Sequence, residues 1–271
     1  MGLQLLLIIA LLVVAAVGFR RFAKKRRRDR LLASPLSPNQ RDIVARLVPV
    51  SRRLPQSLRP AFEGKMNLFL DQVTFHAYGD LDLDEEMRLS IAAQACLLVV
   101  NSPVWFDTLR TVIIYPSTID TGRGRHDGDV VHEGQSTIAG ESWARGPVVL
   151  SWGHALKGGL DPHDGHNVVI HEFAHQLDNL TGHTNGIPIL RKGQRYKAWE
   201  RAMLEAYEGH VARVEAGQAS LINAYGATNH QEFFAEAVVT FFEKPEEMRR
   251  DEADVYAQLN ELFGLDPAEW T

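Results

Sequence analysis

The sequence predicts an α+β domain, with a small sheet, a mostly helical C-terminal half, and a transmembrane helix ahead of it. Three observations point this way. Short runs at 73–78, 111–115 and 147–152 alternate or are rich in β-branched residues, and read as strands. Apolar residues recur at helical spacing through 194–216, 229–242 and about 245–263, which predicts helices there. Residues 3–19 are apolar except for Gln4 and Gly18, and eight cations follow in 20–30.

The N-terminal run holds 17 residues. As a helix it would rise about 25 Å, slightly short of a hydrocarbon core of roughly 30 Å. Arg20 and Arg21 can snorkel to make up part of the difference. A cleaved signal would carry its cations before the apolar run, whereas here they follow it. The small-residue triplet 16–18 keeps cleavage open as the alternative. The positive-inside rule keeps the basic side cytoplasmic. The expectation is a single-pass anchor in the cell inner membrane over 1–19. A basic juxtamembrane segment and linker would occupy 20–40, with the main domain over 41–271 in the cytoplasm. The basic cluster would then lie against anionic headgroups.

The net charge of −5 hides two unlike parts. Residues 20–30 carry +7, from eight cations and Asp29, so the remainder carries −12. A body that acidic is a poor nucleic-acid binder, and no nucleic-acid partner is expected. The single cysteine, Cys96, cannot form an internal disulfide. It sits in the apolar run 91–100 with nothing nearby to lower its pKa, which predicts a core residue rather than a reactive thiol.

After the linker-like segment 33–40, residues 40–70 read as helical and 84–100 as a buried helix. Residues 117–146 are polar and glycine-rich, the longest irregular stretch and a candidate lid.

The chemistry is concentrated in His171-Glu172-Phe173-Ala174-His175. Imidazoles four residues apart on a helix stack on one face and can point at one metal ion, while the glutamate between them reaches toward a water on that ion. Val168, Val169, Ile170, Phe173, Ala174 and Leu177 give this helix an apolar face, so it would hold the pair rigidly. The pattern is that of zinc peptidases.

A catalytic zinc needs a third protein ligand and an open position. The metzincin spacing is absent, because Asp178 and Thr181 stand where it requires Gly and His. A downstream helical glutamate is the next option. Thr228 and Gln231 have capping-box spacing, which predicts a helix from about Asn229 and places Glu232 in its first turn. Glu236 follows one turn later on the same face. The phenylalanines at 233, 234, 241 and 242 would bury that helix, and a buried carboxylate needs a partner. Asp178 is the alternative third ligand. It and Glu236 are expected to stand behind the ligands, orienting an imidazole. Of the nearby histidines, His154, His163, His166 and His183 are assigned no metal, and His166 is expected to shape the cleft.

The stretch Tyr225-Gly226-x-Thr228-Asn229-x-x-Glu232-Phe233-Phe234-Ala235-Glu236-Ala237 resembles the zinc-site helix of anthrax lethal factor, a gluzincin-type metallopeptidase. His171-Glu172-Phe173-x-His175-x-x-Asp178 resembles its first zinc helix. A longer resemblance, over about 40–265, is to the Mlc titration factor A (MtfA) family of bacterial zinc peptidases. The segments 87–98, 140–152 and 164–178 carry it. The resemblance implies a gluzincin-like metallopeptidase domain with one zinc held by His171, His175 and Glu232. It also implies Glu172 as general base and Tyr225 at the site, donating to the oxyanion. A transcriptional-regulator partner is implied by the family alone, and the anchor lies outside the soluble pattern of that family. The expected substrate is a peptide or protein. Two other classes compete: a regulatory binding protein of the same fold that sequesters a partner, and a structural zinc protein. The latter has no use for Glu172.

Overall fold

The computed structural model describes residues 2–116 and 146–270, with the side chains of 2, 3 and 5–9 left undescribed. The candidate lid at 117–146 therefore lies, but for its last residue, outside the described residues. Among the described residues the chain is α+β and mostly helical, with one three-stranded sheet.

Helix α1 spans Gly2–Ala33 and runs unbroken through the basic cluster. Among the described residues no helix is long and apolar enough to cross a membrane. The apolar stretch with described side chains, 10–19, rises only about 15 Å before Arg20, half of a hydrocarbon core. The front of the expected membrane segment lies outside the described side chains. The far end of α1 is docked on the domain. Leu31 and Leu32 pack against the core, and Arg27 pairs with Asp71. A Cβ on Gly64 of α3 (Arg59–Gln72) would stand 2.1 Å from the Leu32 carbonyl oxygen, so only glycine lets these helices approach so closely.

Between α1 and α3, α2 (Pro38–Leu47) opens on a full capping box from Ser37 and Gln40. The helical expectation over 40–70 is thus met by two helices with short 3₁₀ turns between them. Helix α4 (Glu85–Leu97) is capped by Asp84 and contains Cys96, fully buried, its thiol pKa pushed up by that burial.

The sheet is parallel throughout, in the order β1 (Thr74–Ala77), β2 (Thr111–Tyr115), β3 (Val148–Ser151). Strand β2 is central, and its inward residues Val112 and Ile114 are fully buried. Strand β3 leads directly into α5 (Trp152–Leu160), which packs on α6 (Val168–Asp178), the helix bearing the two histidines.

Phe173 anchors α6 from beneath. Its ring stands 5.5 Å from Phe69 of α3 and 5.2 Å from Phe106. Burying three aromatic rings together fixes the rotation of α6, and so the direction its histidines face. Helices α7 (Tyr196–Glu215), α8 (His230–Glu243), α9 (Pro245–Asp251) and α10 (Ala253–Phe263) complete the C-terminal half. The single helix expected over 245–263 is broken at Glu252. The backbone there leaves the helical region (φ −130°, ψ 51°), and its carboxylate is held 2.6 Å from Arg213 of α7.

Candidate metal centre

Helix α6 begins where Asn167 caps it, its side chain accepting from the Ile170 N–H at 2.9 Å and donating to the Gly158 carbonyl at 2.9 Å. A Cβ on Gly158 would sit 2.9 Å from Asn167 Cα, so glycine in α5 lets the leader of α6 lie against it. One turn into the helix come His171, buried, and His175, half-buried. Their rings meet edge to face with centroids 4.7 Å apart.

Helix α8 supplies the carboxylate. Its N-cap is Asn229, accepting from Glu232 N–H at 2.9 Å, one residue later than the Thr228–Gln231 spacing predicts. Glu232 therefore enters in the first turn and is 8% exposed.

Three atoms converge. His171 Nε2 lies 3.1 Å from His175 Nε2 and 3.1 Å from Glu232 Oε2, and His175 Nε2 lies 3.2 Å from that same oxygen. This is a nearly equilateral triangle. A tetrahedral zinc with bonds of about 2.0–2.1 Å separates neighbouring ligand atoms by about 3.3–3.4 Å, so the triangle matches one face of such a site. Among the described residues these three form the one group of His, Cys, Asp and Glu close enough to hold a metal.

Burial alone would lower the His171 pKa, but hydrogen bonding to Glu232 and Glu236 overrides it and raises the imidazole to about 10. Burial likewise works to raise Glu232, yet the two imidazoles hold it well below the usual carboxylate range. A carboxylate so strongly ionised, between two imidazoles, is the donor set that a divalent cation satisfies by displacing protons.

Glu236 and Asp178 meet different fates. Glu236 Oε1 lies 3.1 Å from His171 Nδ1, both groups buried. Asp178 is fully buried but accepts from the backbone N–H groups of Gly186 (2.6 Å) and Ile187 (2.8 Å). No described residue hydrogen-bonds His175 Nδ1. Asp178 thus holds a glycine turn that runs under α8. A Cβ on Gly186 would lie 2.7 Å from the His230 carbonyl.

Glu172 is half-buried beside the pair. The Tyr225 ring lies 6.1 Å from the His171 ring. Burial, then the charges of Glu232, Glu172 and Glu236, push the Tyr225 phenol up, so it stays a hydrogen-bond donor through neutral pH. His166 lines a small cavity of about 20 Å3 with His154, His171, Asn223 and Glu236.

Sequence reasoning missed three supports. Asn223 bonds both Tyr225 N–H and His166. His210 is fully buried beneath the Tyr225 turn. Glu243, at the far end of α8, is 3% exposed and accepts from Gly165 N–H at 2.9 Å. Its neighbour Lys244 donates to the Asp164 carbonyl at 2.8 Å. No periodicity marks these bonds: apart from the local Asn223–Tyr225 bond, they join residues far apart in the chain.

A model of the glucose-regulated metallo-peptidase M90 family matches residues 22–264. An uncharacterized protein of Synechocystis sp. is 37% identical over 246 residues, covering 89% of each chain. Mlc titration factor A of Yersinia pestis is 33% identical over 203 residues, covering 73% of this chain and 74% of its own. The protein of that name from Yersinia pseudotuberculosis matches equally well.

Glu243 gives a pH signature. Burial, offset in part by Asn167 and reinforced by Asp164, raises its carboxyl from 4.5 to about 8. Between those values the folded chain retains a proton that the unfolded chain releases, so stability falls as pH rises through this window. The loss should amount to a few kcal/mol by about pH 8. Urea unfolding at a series of pH values should show wild type losing stability relative to Glu243→Gln across the window. Parallel curves for the two proteins would show that Glu243 is ionised in the fold.

Proposed function

The chain belongs to the glucose-regulated metallo-peptidase M90 family, and from that premise we propose that it is a zinc-dependent peptidase. The observation that carries this reading is the triangle of His171, His175 and Glu232 with Glu172 beside it. Two nitrogens and one oxygen are the donors of a catalytic zinc with an open position. When bound, zinc supplies a Lewis acid that polarises a carbonyl and makes water acidic near neutrality.

The chain's own residues do the rest. Glu236, at His171 Nδ1, keeps the ring proton there and turns the Nε2 lone pair toward the site. Glu172 takes the proton from the attacking water and delivers it to the leaving amine. Tyr225, held protonated, donates a hydrogen bond to the oxyanion of the tetrahedral intermediate. Among the described residues β3 is an edge strand, and its outer side offers main-chain groups to an extended peptide.

A tether to the cytoplasmic face of the inner membrane belongs to the same proposal. The apolar run 3–19, followed by eight cations, supports it, as does the start of the family match at residue 22, beyond that run. Full-length protein should stay with the membrane pellet after an alkaline wash. Its release into the supernatant would remove the tether from the account.

The name of the Yersinia relatives, a titration factor, favours a second reading, in which the domain acts by sequestering a protein partner. Turnover separates the two. Wild type should hydrolyse members of a peptide panel, and a chelator should stop it. Glu172→Gln should keep one zinc per chain and lose about 100-fold or more in kcat, the scale of a general base. A Gln variant as active as wild type would take the base role from Glu172, and a wild type that cleaves nothing would favour sequestration.

A further inference from the structure

Tyr225 stands on a short 3₁₀ turn, Ala224–Ala227, packed between α7 and α8. Something must fix it, because misplacing a catalytic donor by about 1 Å costs on the order of 100-fold in rate. The neighbouring α7 provides a fully buried imidazole there, His210.

Both ring nitrogens of His210 are used. Nε2 lies 3.1 Å from the Asn223 carbonyl oxygen, and Nδ1 lies 2.8 Å from Ser220 Oγ. A carbonyl only accepts, so Nε2 carries the hydrogen, and Nδ1 accepts from the serine hydroxyl. The ring is also packed 5.7 Å from the Phe233 ring, next to the ligand Glu232 on α8. Asn223 passes the restraint on. Its side-chain oxygen accepts from Tyr225 N–H at 2.9 Å, and its carbonyl also accepts from Gly226 N–H at 2.9 Å. The turn packs directly on both neighbours, since a Cβ on Gly226 would meet His210 Nε2 and Glu236 Cβ at 3.4 Å. The far side of Asn223 is held by His166, Nδ2 to Nδ1 at 3.0 Å.

We propose that His210 is a positioning residue for Tyr225, acting through Asn223, so that a buried imidazole on α7 aims the phenol at the metal centre. The inference rests on the peptidase reading above for its kinetic consequence, but the aim of the ring can be read without turnover. Burial lowers the His210 pKa, so the neutral tautomer required by its two partners is the form present at neutral pH.

The distinguishing variants are His210→Phe, which keeps a ring against Phe233 but removes both bonds, and His210→Gln, which can restore the donor to Asn223. The full chain is labelled with 3-fluorotyrosine, and the resonance missing from Tyr225→Phe identifies Tyr225 among the six tyrosines. That resonance should shift or broaden in His210→Phe and return toward the wild-type position in His210→Gln. In turnover, His210→Phe should lose about 10- to 100-fold in kcat with little change in KM or zinc content. Adding His210→Phe to Tyr225→Phe should cost nothing further.

An unmoved resonance in a folded His210→Phe would overturn the proposal, as would multiplicative losses in the double variant or loss of zinc. If His210→Phe fails to fold, Ser220→Ala should move the same resonance in the same direction, and no movement there would be equally fatal. A wild type without peptidase activity but with the expected shifts would sink the peptidase reading while leaving the positioning role intact.

Discussion

The structure turns on one convergence, a buried carboxylate and two imidazoles aimed at a single point, an arrangement that favours positive charge between them. Everything near the site serves that constraint. Packed so close, with His171 and Glu232 buried, these groups favour positive charge: contact with the carboxylates raises the His171 pKa, and the imidazoles lower that of Glu232. Aromatic packing bears the cost of holding them together. Phe173 locks α6 against α3, and the buried Phe233, Phe234, Phe241 and Phe242 lock α8 into the core. The donor atoms are therefore in place before any ion arrives.

Helix α8 does this with one face. Glu232, Glu236 and Glu243 fall four and then seven residues apart, so all three project toward α6 and its leader. The first points at the imidazoles, the second at His171 Nδ1, and the third at the Gly165 amide before the cap of α6. The same helix face thus brings carboxylates to both nitrogens of His171 and to the entry of the partner helix. Asp178 works in the opposite direction, from α6 toward the turn beneath the start of α8.

What the chain reveals before folding follows contact range. The two histidines and Glu172 are legible because a helix puts residues four apart on one face, so spacing alone defines the geometry. Glu232 needed the deduction of a second helix. Its start came out one residue early, because Thr228 and Asn229 are both good caps and only coordinates show which side chain reaches the Glu232 amide. The strands were legible from their short β-branched runs, but their parallel order depends on pairings dozens of residues apart. Asp178 was expected to orient an imidazole and instead takes two backbone amides, since a turn eight residues later folds back onto it. His210 and Glu243 left no trace in the pattern. A lone polar residue on a helix has the same signature whether it faces water or holds a distant loop.

X-ray absorption at the metal edge of the purified, metal-replete chain addresses the central claim most directly. The account predicts one zinc per chain with a first shell of nitrogen and oxygen at about 2.0–2.1 Å, two of the ligands showing imidazole scattering, and no sulfur. Loss of one light ligand in Glu232→Ala should follow. A chain that binds no metal after equilibration with zinc, or a shell containing sulfur or a single imidazole, would contradict it.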